Sequence, residues 1–73
     1  MVLTEREQNS SRSRATILQS ALHLFSGRGY DGTSIDDIRQ EAGFKSKASL
    51  YTHFKSKEEI ASALLNAILE EED

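Results

Sequence analysis

Apolar residues recur at spacings of three and four in the segment Ile17, Leu18, Ala21, Leu22, Leu24 and Phe25, the period that lays one face of an α-helix against a core. Ser11 or Ser13 is the candidate N-cap, and the helix is predicted to stop near Ser26. Gly27 and Gly29 can take left-handed geometry past its end, and Tyr30 offers a ring to pack back before an Asp31-Gly32 turn. In Thr33-Ser34-Ile35-Asp36-Asp37-Ile38 a hydroxyl cap precedes acids that complement a helix N-terminus, which predicts a short second helix from Ile35 to about Ala42, closed by Gly43. A third helix is expected over Lys47 to Phe54, with Leu50 and Phe54 one turn apart and turned inward.

Ser56 followed by Glu59 reads as a capping box, and Ile60, Leu64, Leu65, Ala67, Ile68 and Leu69 continue a fourth helix. That helix has no stop signal and runs into Glu70-Glu71-Glu72-Asp73, acids placed at the negative end of a helix dipole. The expectation is a fragment of a longer protein, with a further domain after this helix. Residues 1–10 show no apolar period and are expected as a mobile arm; 11–57 form the folded unit and 58–73 the fourth, connecting helix. The fold class is therefore all-α: a three-helix head plus the start of a fourth helix.

At 73 residues the chain is one domain at most, and a chain this short buries only about 60% of its unfolded surface. That leaves no room for an enzyme with a deep cleft. No cysteine is present, so neither a disulfide framework nor a thiolate zinc site is available. Apolar runs fall far short of the roughly 20 residues that span a bilayer, and no signal core follows Met1, so a soluble cytoplasmic protein is expected.

Charge changes the picture once it is placed along the chain. The net charge is −3, yet residues 1–57 hold all nine Lys and Arg against six acids, while 58–73 hold six acids and no cation. Phosphate binding depends on local cationic density, so this asymmetry permits a basic working face on an acidic protein.

The segment Thr33 to Phe54 supplies the parts of a helix-turn-helix: two short helices, a glycine-assisted turn, and a second helix that leaves polar residues outward. With Leu50 and Phe54 inward, Lys47, Ser49, Tyr51, Thr52 and His53 occupy the other faces. Lys donates to guanine or phosphate, Ser and Thr hydroxyls serve either, the Ala48 and Thr52 methyls suit a thymine methyl, and a Tyr hydroxyl can hold phosphate.

The run Ile17-Leu18, Ala21-Leu22-His23-Leu24-Phe25, Gly29-Tyr30, Thr33-Ser34-Ile35, Ile38, Ala42-Gly43, Leu50-Tyr51-Thr52-His53-Phe54 and Lys55-Ser56-Lys57-Glu58 resembles the N-terminal domain of TetR-family regulators over Arg12 to Leu69. The resemblance implies sequence-specific binding of double-stranded DNA in bacterial transcriptional regulation, with repression the expected sense. It implies that Lys47, Ala48, Ser49 and Thr52 face bases, while Thr33 or Ser34, Tyr51, Lys57 and His53 hold phosphates. Ser34 and Lys57 also suit that role because helix N-termini attract anions. It implies a pseudo-palindromic operator read by a homodimer of the full-length protein, whose C-terminal domain would dimerise and take a small-molecule effector. Two departures stand out. Seven residues separate Gly43 from Tyr51 where the family has six, which leaves Lys45 and Ser46 as secondary candidates, and Arg39 stands where the family favours Ala. Its long stem must tilt outward or snorkel past the contact with the reading helix, from where it could reach phosphate.

Plainer readings accompany each feature. Phe54 is by default a core ring. His23 and His53 stand 30 residues apart with no cysteine, so no metal and no cofactor is expected, and His23 is read as an exposed residue of the first helix. Asp36-Asp37 and Glu58-Glu59 follow hydroxyl caps, which explains them better than acid-base catalysis, and no catalytic activity is expected. The rival function is a helical protein-protein interaction module without DNA binding, in which the same lysines only solvate the surface.

Overall fold

A computed structural model describes the backbone of residues 5–70 and the side chains of residues 12–70; the first four residues of the expected arm and the acids at 71–73 lie outside the described residues. Four helices follow in order, α1 (Glu5–Arg28), α2 (Ile35–Ala42), α3 (Lys47–Tyr51) and α4 (Lys57–Glu70), and the described residues contain no strand. The fold is all-α. α1 packs against both α2 and α4, and α2 packs on α3.

α1 begins well before the expected caps Ser11 and Ser13, so residues 5–10, expected as part of the arm, are helical. Glu, Arg and Gln are intrinsically good helix formers, and a stretch without Gly or Pro lets a nucleated helix propagate past its apolar face. The other end also differs from expectation: Gly27 stays inside α1, and Gly29, at φ 82°, supplies the left-handed residue. The Gly29 amide donates to the Phe25 carbonyl at 2.9 Å, and the Tyr30 ring returns to within 5.2 Å of the Phe25 ring, as its place in the sequence predicted.

The core is small and shared by all helices. Ile17, Ala21 and Leu24 from α1, Ile38 from α2, Leu50 from α3 and Ile60 from α4 are buried together with Phe54. Fully burying an aliphatic side chain is worth about 1.5–3 kcal/mol, so a handful of such residues holds the four helices together. α2 is capped at both ends. Ser34 and Asp37 form a reciprocal capping box, and Gly43, at φ 82°, ends the helix with its amide on the Gln40 carbonyl at 3.1 Å and the Phe44 amide on the Arg39 carbonyl at 3.0 Å. This paired arrangement satisfies two carbonyls that a helix end otherwise leaves open, and only a residue tolerant of positive φ closes it cheaply.

Candidate nucleic-acid interface

α3 is shorter than the expected Lys47–Phe54 segment, because it closes at Tyr51 with Thr52 as its cap. The chain then tightens into a turn: the His53 and Phe54 amides donate to the Leu50 carbonyl at 3.0 and 3.2 Å. Phe54 therefore still reaches the core beside Leu50, although it stands outside the helix. Ser46 starts α3. It adopts extended geometry, and its hydroxyl accepts from the Ser49 amide at 3.3 Å. A helix of five residues is far too short to persist in isolation, so its position is set by Leu50, by the Ser46 cap and by the turn before it.

With Leu50 fully inward, Lys47, Ala48, Ser49, Tyr51 and Thr52 are all exposed on one short element, and Lys45 and Ser46 are exposed just before it. The Thr52 hydroxyl donates to the Ser49 carbonyl at 2.6 Å, and the side chain remains exposed. Lys55 bends back so that Nζ donates to the Tyr51 carbonyl at 3.0 Å. His53 is half-buried: its ring lies 6.2 Å from that of Phe44, and its carbonyl accepts from Arg14 Nη1 at 3.4 Å. The Arg14 guanidinium also lies 4.5 Å from the centre of the Phe54 ring, so α1 braces the end of the reading segment. Nothing in the pattern of the sequence pointed to Arg14, which is 39 residues from His53.

The remaining phosphate candidates separate. Ser34 is exposed, while Thr33 is 1% exposed and its hydroxyl donates to the Gly29 carbonyl at 2.9 Å, turning it into the α1–α2 connection. The amides of Ser34 and Asp37 are consumed by the capping box. Asp36 and Asp37 also bring carboxylates to this helix start. Asp37 lies 3.3 Å from Arg28, and the Ser34 amide and hydroxyl hold its carboxyl below the usual range, with Arg28 adding to the effect. An anion approaching α2 therefore meets a cap already filled by the protein's own charge.

Lys57 is turned inward as well. Its Nζ donates to the Tyr30 carbonyl at 2.8 Å and the Thr33 carbonyl at 3.0 Å, and lies 4.1 Å from the centre of the Tyr30 ring. It thereby ties the first turn of α4 to the connection between α1 and α2. Beside it, burial first and the neighbouring Glu58 carboxylate second push the Tyr30 phenol up, while the Glu58 carboxyl is held down by its own backbone amide and the Ser56 hydroxyl. The capping box expected at Ser56 forms only by half: the Glu59 amide donates to the Ser56 hydroxyl at 3.2 Å, but the Glu59 carboxylate takes the Lys55 amide instead of that of Ser56.

Arg39 does not tilt outward. Its side chain is 19% exposed, Nε donates to Asp36 Oδ1 at 2.7 Å, and Nη1 donates to the Phe44 carbonyl at 2.9 Å. This contact holds the Asp36 carboxyl below its ordinary value and the guanidinium above its own. On α1, exposed His23 meets Glu41 of α2 at 3.1 Å. No helix among the described residues is long and apolar enough to cross a membrane.

A family model described as bacterial regulatory proteins of the tetR family matches residues 17–64, which takes in the core of all four helices and the whole exposed face of α3. Among curated proteins, the biofilm operon icaADBC HTH-type negative transcriptional regulator IcaR of Staphylococcus epidermidis is 54% identical over 44 residues, covering 60% of this chain and 23% of that protein. The proteins of the same name from Staphylococcus aureus strains Newman and COL match at the same identity and coverage. The chain thus corresponds to less than a quarter of the length of these relatives. No solved structure gives a significant match.

Proposed function

The chain belongs to the tetR family of bacterial regulatory proteins, and on that premise we propose that it binds double-stranded DNA sequence-specifically and acts in transcriptional repression. The observation that carries this reading is the outward face of α3, where Lys47, Ala48, Ser49, Tyr51 and Thr52 are presented together by a helix anchored on the fully buried Leu50. A helix that narrow, with small and hydroxyl-bearing side chains outward, suits the major groove, and an exposed Lys can serve a guanine edge or a phosphate. The sense of regulation follows the relatives, which are named as negative regulators.

In this reading Lys47, Ala48, Ser49 and Thr52 face bases, and Tyr51 and Lys45 are the phosphate contacts best supported by exposure. For the whole protein we propose a cytoplasmic homodimer on a pseudo-palindromic operator, with half-sites about 34 Å apart or a multiple of that. For the whole protein we also propose a small-molecule effector, bound outside these residues.

A mobility-shift assay at low and at physiological salt tests the reading. Binding to duplex DNA that weakens steeply with salt is expected. Lys47→Ala or Thr52→Ala should alter base preference, while Tyr51→Ala should weaken all sequences alike. Salt-indifferent binding to a protein, with none to DNA, would favour the helical interaction module instead.

A further inference from the structure

We propose that Arg39 is a positioning residue that fixes where α3 begins, and through it which bases Lys47, Ala48 and Ser49 face; the inference rests on the DNA-binding reading above. The guanidinium joins the two sides of the turn. Nε is held by Asp36 on α2 at 2.7 Å, and Nη1 donates to the Phe44 carbonyl at 2.9 Å. The Phe44 amide in turn donates to the Arg39 carbonyl at 3.0 Å. Residue 44 is thus gripped through both its amide and its carbonyl by residue 39, across the left-handed Gly43.

From Phe44 only Lys45 intervenes before Ser46, whose hydroxyl caps α3 on the Ser49 amide. The Phe44 ring packs against the core and lies 6.2 Å from His53, so the same residue also touches the far end of the reading segment. A five-residue helix with one buried side chain has little of its own to set its axial position. The path from Asp36 through Arg39 and Phe44 to Ser46 provides it. The planar fork presents Nε to Asp36 and Nη1 to the Phe44 carbonyl in a fixed relative geometry, which a lysine ammonium on its flexible stem does not reproduce.

The test uses the 73-residue chain and its R39M and R39K variants, with DNA recovered by selection from a random duplex pool and affinities measured at a temperature where all three are folded. Base pairs served by the start of α3 are those whose preference changes in Lys47→Ala; Thr52→Ala marks those served by its end. In R39M, discrimination at the first set is expected to fall roughly tenfold, within the range carried by one good base contact. The second set and the dependence of affinity on salt stay as in the wild type. R39K behaves like R39M, and in both the Ser49 amide exchanges faster in the DNA-free protein. A salt slope shallower by about 0.9 in R39M, restored in R39K, would overturn the proposal in favour of a phosphate contact. A lower melting temperature with discrimination intact would reduce Arg39 to a structural residue and overturn it too. If the wild-type chain enriches no sequence, the DNA-binding reading fails; unchanged exchange at Ser49 would show separately that Arg39 does not hold the turn.

Discussion

The two ends of this small bundle spend their side chains in opposite ways. Around α2 and α3, polar groups are turned onto the protein's own backbone: Thr33 on Gly29, Lys57 on Tyr30 and Thr33, Arg39 on Phe44, Ser34 and Asp37 on each other, Ser46 on Ser49. At the other end, α1 and α4 flank an apolar groove lined by Leu18, Leu22, Leu64 and Ile68 among others, and Leu65 and Leu69 are each 58% exposed. One end is held by specific, directional bonds, the other by contact alone. An interface that must present side chains in one arrangement needs the first kind of construction, because hydrophobic contact has no direction.

The contrast can be broken by substitution. The largest effect is expected for Leu50→Ala, which empties the single anchor of α3 and should lower the unfolding free energy by about 3 kcal/mol in a urea titration. A loss below about 1 kcal/mol would mean that α3 is not held by the core. Lys57→Met should cost about 2 kcal/mol, since it strips a charged donor from two carbonyls. It should also leave the salt dependence of DNA binding unchanged, whereas a phosphate contact would make that dependence shallower. Ser34→Ala removes one half of the capping box and should cost about 1 kcal/mol by the same titration.

Acid provides a subtler probe of the same end. Asp36 is held down by its hydrogen bond from Arg39, and Asp37 by the Ser34 amide and hydroxyl. Folded values below the unfolded ones mean a stabilisation present in full above the usual aspartate value of about 3.9 and lost as pH falls through the folded values. Thermal scans below pH 5 should therefore show a decline that Asp37→Asn makes shallower. The smallest effect is expected for Leu65→Ala at the opposite end, within about 0.5 kcal/mol; a large loss there would erase the contrast.

What could be read from the chain beforehand divides along a physical line. α2, its hydroxyl cap and its closing Gly43 were legible because a cap, the acids after it and a helix end lie within a few residues of each other, while the return bond of the Ser34 amide to Asp37 was not. Leu50 and Phe54 were legible because apolar side chains one turn apart advertise a buried face. The start of α1 was not, since propagation of a helix beyond its apolar stripe leaves no periodic mark. Lys57 drew the expectation of phosphate from the resemblance and from its place at a helix N-terminus, and Arg39 from the reach of its long stem. In the structure Lys57 donates to backbone carbonyls 24 and 27 residues away, and Arg39 to Asp36 and to a carbonyl in the following turn; a carbonyl carries no residue identity to recognise. Thr33 and Ser34 are adjacent hydroxyls with the same letter-level promise, and only the path of the chain after Gly29 sends one in and one out.

The economy of α3 has a consequence for how such a protein can change. Its only fully buried side chain is Leu50, and Lys47, Ala48 and Ser49 extend into solvent. Replacements at these three positions alter the chemistry displayed to a partner while leaving the core intact, and surface substitutions of that kind typically shift stability by less than about 0.5 kcal/mol. New binding preferences are therefore within single mutational steps of this sequence without passing through an unfolded intermediate. The same separation makes the chain a ready scaffold for engineering, where the lettering of one helix can be rewritten on an unaltered frame.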